Sequence, residues 1–163
     1  MPSPLLRELK ALMDRLALAA GCEADPVTDE GILRGEAIGG FIAGGPRLLE
    51  AATPFLRAYY WSTAAEFTPR ERITHGIPDI PHYADIWEHV QFRSPPSWAA
   101  GGGPLMPGRG YLSFEGEVSW EPEHGLQLVY EDGQRLCKVG HCDGHVTVAH
   151  AYGDASLLGV VFG

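Results

Sequence analysis

The residues with the most chemical content in this chain stand in one short run, Trp120-Glu121-Pro122-Glu123-His124-Gly125. A histidine beside a carboxylate can exchange protons near neutral pH, because its unperturbed pKa is about 6.5. At a strand end such a pair would face solvent. Acid–base catalysis also needs a nucleophile or a metal in reach, and the local sequence identifies neither. The competing reading is architectural: Pro122 fixes φ at the second position of a turn, Gly125 supplies a positive φ, and His124 bonds a neighbouring carbonyl or Glu side chain. The architectural reading is preferred, since polar turn residues usually satisfy local backbone groups.

Other constellations are weaker. Cys137, His141, Cys142 and His145 are zinc-type ligands in a short span, but C-x3-H-C-x2-H matches no common finger. Alternate residues of a hairpin face opposite ways, so these four are not expected to converge. Glu121, Glu123 and Asp143 lack a loop dense enough in oxygen for calcium. His75, His82 and His89 recur every seven residues, but Pro78 and Pro81 forbid the helix that would align them. The Gly-rich pieces between residues 31 and 45 have no Lys-Ser or Lys-Thr after them and do not match a phosphate loop. A thiol enzyme built on Cys137 or Cys142 has no supporting motif. The expectation is no cofactor, no metal and no assigned catalytic residue, with Trp120, Glu121, Glu123, His124, Gly125 and Asp143 as the candidate binding residues.

The elements that must position this run are strands. From Tyr111 to Trp120 the pattern has period two, with Leu112, Phe114, Val118 and Trp120 on a core face and Ser113, Glu115, Glu117 and Ser119 on a wet one. Gly116 interrupts the apolar face and marks a bulge or a close approach. Leu126, Leu128 and Tyr130 line one side of the next strand, and Asp132-Gly133 is a type I′ hairpin signal. Gln134 to Val139 returns. Asp143-Gly144 then offers a second hairpin, leading to a strand from His145 to His150, and Leu157 to Phe162 reads as a last apolar strand.

Upstream, Ser3-Pro4 starts an amphipathic helix that Gly21 stops. Residues 22–45 read as loop with a short strand around Ile32 or Ile38. Pro46 to Glu66 is helical, either one kinked helix or two with Thr53 capping the second, and its aromatic face (Phe55, Leu56, Tyr59, Tyr60, with Phe67) points to the core. Thr68-Pro69-Arg70-Glu71 starts a short turn or helix. Ile77 to Pro81 is extended, Ala84 to Val90 makes one or two helical turns, and Val90 to Phe92 is a short strand. The loop Ala99 to Gly110 is long enough to be mobile or functional.

Composition bounds the answer further. The 163 residues suit a single domain, and 45% apolar against 20% charged content implies a packed core. A net charge of −9 argues against nucleic acid or an anionic membrane as partner. From Tyr111 onward eight acidic residues face two basic ones, so the sheet should present an acidic face; the preferred reading is an ordinary solvated surface, and the sharper alternatives are a basic protein partner or a weak cation. No stretch approaches the roughly 20 apolar residues of a membrane span. Arg7, Glu8, Lys10, Asp14 and Arg15 interrupt any signal-peptide core, and three cysteines make an odd count, so the expected setting is cytoplasmic with reduced thiols.

Over residues 45–150 the sequence resembles a family of uncharacterised bacterial domains. Its marks are a strand ending in Trp, an acidic Glu-His-Gly-hydrophobe turn, a hairpin and a Gly-x-x-Asp segment. Here these are Trp120 to Leu126 and Gly140-His141-Cys142-Asp143. Phe55–Trp61, Ile77–Ile80 and Ala84–Val90 resemble the family's aromatic helix, Pro-Ile linker and short helix. The resemblance implies an accessory or immunity-type protein. The combined expectation is one α+β domain over 1–163: mainly helical to residue 66, a loop-rich linker with a short helix over 67–110, and over 111–163 an antiparallel meander of four or five strands with the helices packed on one face. Its expected function is non-enzymatic, immunity-like protein binding; the alternative is an enzyme using Glu123 and His124 as an acid–base pair.

Overall fold

The computed structural model describes residues 29–92 and 96–163. The expected helix from Ser3, Cys22 and the Ser94-Pro95 pair lie outside the described residues. Two long helices come first, α1 over Asp29–Gly44 and α2 over Pro46–Ala64, followed by short α3 over Pro69–Thr74. No helix among the described residues is long and apolar enough to cross a membrane.

Helix α1 replaces the loop and strand expected over residues 22–45 from Asp29 onward. Glycine content weakens helix propensity, but tertiary packing overrides it here. Ala37, Ile38 and Phe41 form a buried stripe, and Phe41 lies 4.6 Å from the Phe114 ring and 5.2 Å from Tyr130. Gly35 and Gly39 look into open space, where they disturb no packing. Helix α2 is one helix with Pro54 inside it. Thr53 does not cap a second helix; it is fully buried and accepts a hydrogen bond from Trp87 Nε1 at 3.0 Å. Leu56, Tyr59 and Tyr60 face the core as expected, with Phe55 and Phe67 packed at its margin.

Thr68 and Glu71 form a reciprocal capping box at the start of α3. The irregular 77–81 segment is held by Arg57, which donates to Ile80 O at 2.6 Å, and by the Tyr60 hydroxyl, which donates to Pro78 O at 2.8 Å. A 3₁₀ helix, Tyr83–His89, then leads into the sheet.

The sheet has five antiparallel strands: β1 Val90–Phe92, β2 Ser97–Ala100, β3 Gly110–Val118, β4 Leu126–Glu131 and β5 Arg135–Gly140. The order is β1-β3-β4-β5, and β2 pairs with β3 on residues 110–113 while β1 pairs on 116–118. The strand number matches expectation, but the membership does not. Strand β1 is the short strand expected at Val90–Phe92, now joined to the sheet, whereas β2 comes from a stretch read as loop. His145–His150 and Leu157–Phe162 are not strands. Residues Val148–Tyr152 form helix α4 instead, because the Thr147 hydroxyl accepts the His150 N–H at 2.9 Å and Gly153 ends the turn in a left-handed conformation. The tail lies along the sheet edge, where Val139 N–H donates to Val161 O at 2.8 Å and Phe162 packs on the core beside Tyr59.

The Asp132-Gly133 turn has positive φ at both residues, as a type I′ turn requires. A Cβ on Gly133 would sit 1.8 Å from Ala37 O, so the bare turn backbone docks on α1. Gly116 is a close approach: its Cβ would meet Gln91 O at 2.8 Å. The loop of residues 101–109 is anchored rather than loose. Gly101 N–H donates to Arg109 O, the Thr147 hydroxyl donates to Leu105 O at 2.8 Å, and Tyr111 OH accepts the Gly108 N–H at 2.8 Å.

Candidate functional site

Strand β3 ends at Val118, and the chain then turns Trp120 inward, where it is 2% exposed. Its ring meets Tyr59 and Tyr60 edge-on, each at 5.7 Å. The chain bends back through a helix-like turn in which Gly125 N–H donates to Glu121 O at 3.1 Å. Gly125 closes it with φ of 62°, and a Cβ there would lie 2.6 Å from Gly116 O. Below the turn, the Tyr59 hydroxyl donates to Gly125 O at 2.7 Å. Burial, together with the Glu121 carboxylate and Cys142, pushes that hydroxyl well above its ordinary range, so it stays a donor.

One helix-like turn puts residues three apart on the same side. Glu121 Oε1 and His124 Nδ1 accordingly lie 3.2 Å apart. The segment leaving β5 meets this turn from the other side. Cys142 N–H donates to His124 O at 3.1 Å, which fixes the two loops together. His141 stacks on His124 with centroids 4.9 Å apart and planes within 15°, and its ring meets Tyr59 at 5.1 Å. Glu121, His124 and His141 each bring one ligand atom to within 4.8 Å of the others.

The six candidate binding residues therefore divide. Glu121, His124 and Gly125 build the corner, and Trp120 is its buried footing. Glu123 is exposed on the rim of a shallow depression that also includes Glu115 and Glu117. The carboxylate in hydrogen-bond reach of His124 is Glu121, not the Glu123 of the expected acid–base pair. Asp143 belongs elsewhere, paired with Lys138 and accepting the His145 N–H at 2.9 Å.

The four clustered thiol and imidazole residues are dispersed. Cys137 turns into a small cluster with Tyr111, Val129 and Val146, and burial pushes its thiol up to about 12. Cys142 is raised by burial and then by the Glu115 carboxylate, so both thiols are held in their less reactive form. His145 lies against His150 and Asp143, while His141 joins the turn.

Sequence reasoning missed two features. One is the meeting of His141 with Glu121 and His124; the Glu-x-x-His spacing was a local signal, but the loop docking that adds His141 has none. The other is Lys138, one of only two lysines in the chain and 4% exposed. Its ammonium donates to Gln127 Oε1 at 3.0 Å, to His145 O at 2.7 Å and to the Asp143 carboxylate. Gln127 in turn donates to the Ser113 hydroxyl at 2.9 Å. Three acceptors satisfy the three donors of a buried ammonium. A cavity of about 540 Å³ opens beside this network, bordered by Lys138, His145, Tyr152 and Phe162. Lys138 has no donor left over for a ligand in it.

Comparison with curated proteins and with solved structures returns no match for the chain. A family model does match, over residues 16–146. With most of its length covered in this way, the chain belongs to the family described as Domain of unknown function (DUF6985).

Proposed function

We propose that the protein is a non-enzymatic binding domain that holds a basic protein partner against the acidic surface around the 121–125 turn. The observation that carries this reading is the exposed set Glu115, Glu117 and Glu123 around one open depression of about 440 Å³. Its floor is preorganised by the Tyr59 and Trp120 contacts, so little ordering cost accompanies binding. Clustered carboxylates on a rigid base steer and orient a basic surface. The acid–base alternative is disfavoured by geometry, because Glu123 does not meet His124 and both described thiols are held protonated. An immunity-type role in a bacterial cytoplasm is the version of this reading that the sequence resemblance and the free thiols Cys137 and Cys142 support.

The test compares the unaltered protein with a Glu115→Lys/Glu123→Lys variant in cross-linking experiments in the source cells. A basic partner cross-linked to peptides spanning residues 111–125, and lost from a variant that melts normally, supports the reading. A partner retained equally by the variant, or cross-linked to the helices, refutes it.

A further inference from the structure

We propose that Glu121, His124 and His141 bind a divalent transition cation of the zinc type, independently of any protein partner. Two imidazoles and a carboxylate are a ligand set for zinc, cobalt, nickel or copper rather than for calcium or magnesium, which prefer all-oxygen shells. The three donors come from two loops far apart in sequence and lie within 4.8 Å of one another. Ligands around a tetrahedral zinc with bonds near 2.0–2.1 Å stand roughly 3.4 Å apart. The His124 Nδ1 to Glu121 Oε1 separation of 3.2 Å already fits that spacing. The remaining adjustment is a swing of two exposed imidazoles, His124 and His141, that stack 4.9 Å apart.

The backbone beneath is held while the side chains adjust. Cys142 N–H bonds His124 O, Gly125 N–H bonds Glu121 O, and Tyr59 both bonds Gly125 O and packs on the His141 ring. A site whose supports are fixed and whose ligand side chains face solvent can take up an ion without refolding. Three protein ligands leave one coordination position open to water or to an outside donor. The other thiol and imidazole groups, at Cys137 and His145, point into separate environments and offer no such convergence.

The full chain, free of any affinity tag and stripped with chelator, is titrated with cobalt(II) and then zinc(II). Visible absorption follows the cobalt, and imidazole NMR signals follow the ligands. The expected result is one cobalt per chain, displaced by zinc, with His124 and His141 signals shifting and those of His75 and His89 unmoved. His124→Ala and His141→Ala should each weaken binding by more than the roughly 10–100-fold typical of changes around a ligand shell. His145→Ala and Cys142→Ser should bind as the unaltered chain does. The NMR titration uses the native sequence, so it decides the matter even if a variant fails to fold. Absence of saturable one-to-one binding, unmoved His124 and His141 signals, or an equal loss in His145→Ala would overturn the proposal.

Discussion

The two faces of the sheet are built on different principles. On the helix-covered face, Leu112, Phe114, Trp120, Leu126, Leu128 and Tyr130 pack against Phe41, Leu56, Tyr59 and Tyr60 as one apolar and aromatic core. On the other face, Ser113, Gln127 and Lys138 form a buried chain of hydrogen bonds to Asp143 and the His145 carbonyl, beside the small Tyr111, Val129 and Val146 cluster. The first face draws its stability from apolar area removed from water, which tolerates no polar substitute but needs no exact partner. The second depends on every donor finding its acceptor, so it is sensitive to the loss of one group. The candidate site stands at the end of the sheet where the two meet. Its footing, Trp120 and Tyr59, is core, and its rim is polar.

The contrast can be broken most forcefully at Trp120. Trp120→Ala should destabilise by about 3–5 kcal/mol, the usual range for a large buried aromatic. Trp120→Phe should be far milder, because the indole N–H has no acceptor among the described residues. A denaturant midpoint unmoved by Trp120→Ala would show that the ring is not core.

Lys138 tests the second face. Lys138→Met should cost about 1–3 kcal/mol, since it leaves the buried Gln127 and His145 acceptors without a donor. Asp143 is partly exposed and can turn to water, which limits the penalty. A change within about 0.5 kcal/mol, as for an ordinary surface residue, would mean the network contributes nothing.

At the junction of the faces, Gly125→Ala should cost about 1–2 kcal/mol for forcing a left-handed conformation on an ordinary residue. Its Cβ would also press on Gly116 O. His124→Ala should cost less, under about 1 kcal/mol, because the imidazole it removes is more than half exposed. Thermal melts of the two variants side by side give the ranking, and a reversed order would make the turn a product of its side chains rather than its backbone.

The smallest effect concerns acid. Burial alone would raise the Asp143 carboxyl, but the Lys138 and His145 hydrogen bonds and charges outweigh it and hold the group below its ordinary 3.8. A carboxyl depressed in the folded state contributes stability above its unfolded pKa and loses it as pH falls through the folded one. Stability should therefore drop slightly as pH is taken from about 4 downward, and Asp143→Asn should flatten that part of the profile. An Asn variant with the same acid slope as the unaltered chain would remove Asp143 from the account.

The sequence alone determined the parts of this protein that are set by local rules. Period-two alternation put Leu112, Phe114, Val118 and Trp120 on one face, paired positive-φ residues made the Asp132-Gly133 hairpin, and Thr68-x-x-Glu71 marked a helix start. Gly125 was legible as a left-handed turn position for the same reason. The tertiary structure decided whatever depends on which segment covers which. Helix α1 forms across a Gly-rich stretch because Phe41 finds Phe114 and Tyr130. His145 to His150 alternates like a strand yet does not join β5, whose Val139 N–H goes to Val161; Thr147 caps a helix instead. Ser113 reads as part of a wet face, and it becomes interior together with Gln127 and Lys138 only when residues 141–152 fold over them. His141 reaches Glu121 and His124 through one backbone hydrogen bond between loops, Cys142 to His124. Alternation and turn chemistry are properties of a few consecutive residues, whereas burial of a polar face and convergence of ligands are properties of pairs of segments, which spacing along one chain does not encode.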